Sequence, residues 1–92
     1  MKKTILVIGT FDTKAPELAY LIERIEAQGG EALPMDVSIL GDTNFPITVS
    51  KHQVAEAAGT SIADLIALGE EGEAFERMSA GAAVMTRRLF DD

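Results

Sequence analysis

Lys3-Thr4-Ile5-Leu6-Val7-Ile8-Gly9-Thr10-Phe11-Asp12-Thr13-Lys14-Ala15-Pro16-Glu17 is the stretch whose reading decides the fold. Its first half is a continuous apolar run rich in β-branched residues, with no polar alternation. Such a run reads as a strand buried on both faces, which belongs in a parallel sheet covered by helices. Gly9 to Lys14 then reads as a loop. Pro16 suits the first turn of a helix, where its missing N–H costs nothing. Leu18, Leu21, Ile22 and Ile25 come next at i, i+3, i+4 and i+7, one apolar stripe. Gly29-Gly30 supplies the stop.

Ala32 to Val37 reads as a second strand, so residues 3–37 form a β-α-β unit with a right-handed parallel crossover. Pro34 cannot donate to a ladder, which places this strand at a sheet edge. A flavodoxin-like strand order 2-1-3 agrees with that position. Ser38 to Val49 is punctuated by Gly41, Asp42, Asn44 and Pro46 and reads as irregular. The segment 50–90 is helical. Ser50 with Gln53 forms a capping box for a helix ending at Gly59. Thr60 or Ser61, with Asp64, opens another that ends near Gly69. A last helix runs from about Glu70 to Phe90, with Phe75, Met78, Ala82, Met85 and Leu89 on one face. Gly81 inside it costs about 1 kcal/mol against alanine, so close packing on a neighbour is expected to compensate. The fold class is α/β, Rossmann-like, with residues 1–92 in one domain. Two strands alone make a poor core. The expectation is therefore a fragment of a longer parallel-sheet domain, or a sheet completed by association.

Composition narrows the chemistry. The chain has 92 residues, 47% hydrophobic, which suits a folded domain and excludes wholesale disorder. There is no cysteine, so disulfides and thiolate catalysis are excluded, and one histidine cannot build a multi-histidine metal site. Eight basic against fifteen acidic residues give a net charge of −7, which opposes nucleic-acid binding. The apolar run near the start is broken by Gly9 and Asp12 and is too short to span a bilayer or to form a signal peptide. A cytoplasmic protein without membrane partners is expected.

The loop after the first strand is the leading candidate site, because ligands of open parallel sheets bind beyond the carboxyl ends of the strands. The helix behind it offers free N–H groups and a partial positive charge. Thr10, Thr13 and Lys14 suit phosphate, and Asp12 suits a magnesium ion held through water. The pattern is neither Walker A nor the dinucleotide Gly-x-Gly-x-x-Gly. The plainer alternative is that Asp12 or Thr13 caps the helix and Lys14 is solvated. Asp36, closing the second strand, either accepts from ribose hydroxyls or forms a turn with Ser38. Residues 53–69 have the outline of a helix-turn-helix, but the second helix carries Asp64 and no Arg or Lys to meet phosphate or base. His52 reads as surface, and Arg87-Arg88 as a helix C-terminus.

Ile8-Gly9-Thr10-Phe11-Asp12-Thr13-Lys14, Pro16-Glu17-Leu18, Met35-Asp36-Val37 and Val54-Ala55-Glu56-Ala57-Ala58-Gly59 together resemble the opening of a known family. It is the ATP-binding domain family typified by the plant protein that confers resistance to tomato mosaic virus. The resemblance covers nearly all of this chain but only the start of that family's domain, which is several times longer and has two Rossmann-like subdomains. It implies ATP at a site between subdomains, and dimerisation, hence a homo-oligomer; magnesium enters only through the reading of Asp12. Gly9, Thr10, Asp12, Thr13 and Lys14 match the family's first loop and Asp36 its acidic strand end. The family's later glycine-rich stretch has no counterpart here. No enzymatic reaction is implied. The rival readings are a structural or dimerisation segment working through the small-residue helix, and the helix-turn-helix.

Overall fold

The computed structural model describes residues 3–90. The elements are β1 (Thr4–Gly9), α1 (Phe11–Ala27), β2 (Glu31–Asp36), α2 (Lys51–Ala57), α3 (Ile62–Leu68) and α4 (Glu71–Phe90). β1 and β2 are parallel neighbours, in register from Thr4 opposite Glu31 to Gly9 opposite Asp36. The expected α/β class, with parallel strands alternating with helices, is what forms.

Side chains of β1 alternate between two apolar clusters, as the two-residue period of a strand requires. Val7 packs with Phe11 and Ile22, and with Leu18 and Ile25 of α1. Leu6 faces the other way, onto Met35, Val54, Leu65, Met78 and their neighbours from α2, α3 and α4. Both faces of the strand pair are thus covered, but not along their whole length. Ile5 and Ile8 are exposed, contrary to a strand buried throughout, and Leu21 is exposed on α1, contrary to the apolar stripe expected there. The outer edge of β1 carries no strand among the described residues.

The outer edge of β2 is partly occupied. Met35 makes a parallel bridge with Val49, and the Pro34 carbonyl accepts from the N–H groups of Thr48 and Val49, both at 3.0 Å. A residue's N–H and C=O point to the same side of a strand. The donor that Pro34 lacks therefore belongs on the side away from β1, where only a short bridge runs. This is the physical content of the edge position expected for Pro34.

Two further expectations need correction. The helix after β1 begins at Phe11, within the expected Gly9–Lys14 loop and ahead of the first turn expected at Pro16, with Thr10 as N-cap. The Thr10 carbonyl accepts from the N–H groups of Thr13 and Lys14 at 3.2 and 2.9 Å, closing one turn where a loop was expected. The backbone then leaves helical geometry at Lys14 (φ −115°, ψ 18°). The ring of Pro16 would crowd the preceding turn and has no N–H to bond into it, so the helix kinks and restarts there. On α4, Ala74, Met78, Gly81 and Ala82 are buried, whereas Phe75 and Leu89 are exposed. The small residues set this face, because they let α4 lie against α2. A β-carbon on Gly81 would come within 2.1 Å of the Val54 carbonyl oxygen. The neighbour inferred for Gly81 is therefore α2 of the same chain.

The expected caps are present. Ser50 and Gln53 form the capping box of α2. Ser61 accepts from the Asp64 N–H at α3, which closes on Gly69 in the left-handed conformation (φ 67°). Lys51, directly after the Ser50 cap, is buried. No helix among the described residues is long and apolar enough to cross a membrane.

Candidate functional site

β1 and β2 end side by side, and the start of α1 meets the chain leaving β2 at their carboxyl ends. Asp36 is buried there, and its Oδ1 accepts from the Phe11 N–H at 3.3 Å, the Ser38 N–H at 2.9 Å and the Ser38 hydroxyl. The Asp12 N–H in turn donates to Ser38 Oγ at 3.1 Å. Asp36 thus makes the turn that was one of its two sequence readings, and does more. Its carboxylate stands at the N-terminus of α1, the place where helices bind anions.

This corrects the expectation of free N–H groups at that helix start. Phe11 donates to Asp36, Asp12 to Ser38, and Thr13 and Lys14 to Thr10. A ligand at this turn would meet hydroxyls instead. Thr10 Oγ1 and Thr13 Oγ1 lie 3.4 Å apart.

Thr10, Asp12 and Thr13 line one cleft of about 560 Å³. Its second wall is Val37, Ser38, Ile39 and Leu40, the chain leaving β2. Leu65, Ile66 and Gly69 come from α3 and its cap, and Glu70, Glu71, Ala74 and Phe75 from the start of α4. Of the six candidate residues, three are therefore brought together in the cleft. Gly9 and Asp36 do not line it. Gly9 has a packing role, since a β-carbon there would come within 2.7 Å of the Leu18 side chain. Lys14 is exposed outside the cleft and lies 3.8 Å from Glu17.

The wall formed by the chain leaving β2 is held by two side chains whose contacts sequence reasoning missed. Asp12 Oδ2 accepts from the Gly41 N–H at 3.1 Å. Buried Lys51 donates to the Gly41 carbonyl at 2.7 Å and the Ile39 carbonyl at 3.5 Å, and pairs with Asp42 Oδ1 at 2.8 Å. The Lys51 hydrogen bond and charge hold the Asp42 carboxyl below the usual aspartate value. One signal was available: a lysine in the first turn of a helix opposes the helix dipole, so its ammonium needs partners elsewhere. Gly41 is required by closeness, since a β-carbon on it would come within 2.9 Å of Asp12.

The charges lining the cleft are the carboxylates of Asp12, Glu70 and Glu71; among the described residues no lysine or arginine lines it. No group of three potential metal-ligating side chains occurs among the described residues. A second concavity of about 580 Å³ lies at the opposite ends of the strands, where Lys3, Arg24 and Gly30 contribute. It is at the wrong end of the strands for a ligand site of an open parallel sheet.

The chain matches the N-terminal domain of the uncharacterised protein family UPF0261 over residues 3–92. It belongs to that family. A UPF0261 protein of Brucella suis biovar 1 is 47% identical over 85 residues, 92% of this chain and 20% of the relative. A UPF0261 protein of Brucella melitensis biotype 1 is 46% identical over the same length. One from Clostridium tetani is 37% identical over 89 residues, 97% of this chain and 22% of its own. The chain thus spans about a fifth of the length of these UPF0261 relatives. No solved structure matches it.

Proposed function

We propose that this domain is a nucleotide-binding module whose ligand is ATP with magnesium. The observation that carries the reading is the cleft at the carboxyl ends of β1 and β2, where Thr10, Asp12 and Thr13 converge. The resemblance of Gly9 to Lys14 and of Asp36 to the ATP-binding domain family supports it.

The donor set fits a metal-bound polyphosphate better than a bare one. Two hydroxyls, a helix start already bonded to its own carboxylate and three lining acids offer little to free phosphate. Magnesium bound to the nucleotide would neutralise part of its charge. Magnesium keeps several waters and takes few protein carboxylates, so Asp12 suits it through water. Thr10 and Thr13 would donate to phosphate oxygens. Asp36 serves the site by holding the Phe11 and Ser38 N–H groups in place. Lys14 contributes only through its field from outside the cleft.

The test is an amide NMR titration of the chain with magnesium-ATP. Shifts centred on Thr10 to Thr13 and on Ser38 to Gly41 are expected. A well-dispersed spectrum that magnesium-ATP leaves unchanged would sink the proposal.

The structural-segment reading retains one observation, the exposed Ser79, Ala80 and Ala83 on α4. Gly81 itself is covered by α2, so its replacement reads folding rather than association.

A further inference from the structure

Three large apolar side chains on three different segments are left open around the same cleft. Leu40 after β2 is 79% exposed, Ile66 on α3 48%, and Phe75 on α4 65%. Single exposed hydrophobics are ordinary, but three converging on one concavity mark a surface that is covered when occupied. Glu70, just before α4, and Glu71, in its first turn, add two carboxylates to that side. Phosphate is repelled there and has to lie toward the Thr10 and Thr13 hydroxyls.

From this polarity we infer that the Leu40–Ile66–Phe75 wall is the seat of the nucleotide's base, with the Phe75 ring as its stacking surface. The inference rests on the nucleotide reading and adds an orientation to it: phosphates at the start of α1, base at α3 and α4. A purine offers flat apolar faces that fit an exposed phenyl ring between aliphatic side chains. The 65% exposure of Phe75 at the rim of the cleft then has a reason that core packing does not supply.

Three probes separate the parts: magnesium-ATP, adenosine and magnesium tripolyphosphate, each titrated into the isotope-labelled chain. Magnesium-ATP is expected to move amides of both Thr10–Thr13 and Ile66–Phe75, adenosine only the second set, and magnesium tripolyphosphate only the first. Phe75→Ala, at an exposed position, should weaken magnesium-ATP about tenfold or more and leave magnesium tripolyphosphate unchanged. Phe75→Tyr should restore the nucleotide affinity. If Thr10–Thr13 respond but adenosine leaves 66–75 unmoved, or Phe75→Ala binds magnesium-ATP as the parent does, the base seat is refuted and nucleotide binding stands. If no probe moves any amide, both readings fall together.

Discussion

The ammonium of Lys51 lies 2.7 Å from the carbonyl oxygen of Gly41, ten residues earlier in the chain, and the two fasten one wall of the cleft to the start of α2. The same Gly41 offers its N–H to Asp12 on the other side. The wall is therefore tied at one residue to both α1 and α2. Lys51→Met should keep the aliphatic stem but leave the Gly41 and Ile39 carbonyls without their donor. The expected loss is about 1–3 kcal/mol of stability, read by urea unfolding. An unchanged midpoint would show that water replaces the ammonium at no cost.

The Lys51–Asp42 pair makes a pH prediction of definite sign. The Asp42 carboxyl is held below the usual aspartate value by the Lys51 hydrogen bond and charge. A lowered folded-state value means the contact stabilises fully above the unfolded-state value and is lost as pH falls through the folded one. Carbon NMR of the Asp42 carboxyl should therefore show its midpoint below that of free aspartate, and Lys51→Met should raise it. The same midpoint in both proteins would contradict the pairing.

Gly81 sets two opposing effects against each other. Alanine should gain about 1 kcal/mol of helix propensity. Its β-carbon would however sit 2.1 Å from the Val54 carbonyl, a backbone atom that cannot rotate away. Overpacking of this kind costs about 1–3 kcal/mol or more, so Gly81→Ala should lower the thermal midpoint. A rise would mean that α2 and α4 can move apart freely.

Asp36→Ala should be among the most damaging changes in the chain. It strands the buried Phe11 and Ser38 N–H groups, at a cost of about 3 kcal/mol. Asp36→Asn keeps an acceptor and should cost less. Equal unfolding midpoints for the two variants would show that charge, not the acceptor, matters at the start of α1.

Binding variants should rank by the cleft rather than by charge. Thr13→Val removes a hydroxyl that lines it, whereas Lys14→Ala removes a cation lying outside it beside Glu17. Calorimetry with magnesium-ATP should show a several-fold loss for Thr13→Val, about 1 kcal/mol. Lys14→Ala should show a smaller loss that disappears with added salt. The reverse order would move the phosphates out of the cleft.

How much of this was legible in the residues depends on what kind of interaction settled each feature. Strands, caps and stops rest on short-range pattern and backbone chemistry: Ser50 with Gln53, Ser61 with Asp64 and Gly69 behave as their spacing implies. The helix start at Phe11 was hidden because Thr10 closes its turn without a side-chain cap. Its first donors are satisfied by Asp36 and Ser38, about 25 residues further on. The buried face of α4 was hidden for another reason. Pattern reading weights large apolar residues, whereas the α2–α4 contact is made where side chains are small, at Ala74, Gly81 and Ala82. The cleft brings residues 10–13, 37–40 and 65–75 together, and of its lining only Thr10, Asp12 and Thr13 could be grouped in the sequence, because they lie within four residues.

The outer edge of β1, which no strand covers among the described residues, bears with exposed Ile5 and Ile8 on how this chain behaves in concentrated solution. Unpaired N–H and C=O groups along that strand are adhesive toward any other strand edge. At neutral pH fifteen carboxylates against eight cations make copies of the chain repel one another. Acidifying the solution protonates the carboxylates and removes that colloidal barrier while leaving the edge intact. Turbidity should therefore appear first on the acid side, well before the strands themselves come apart.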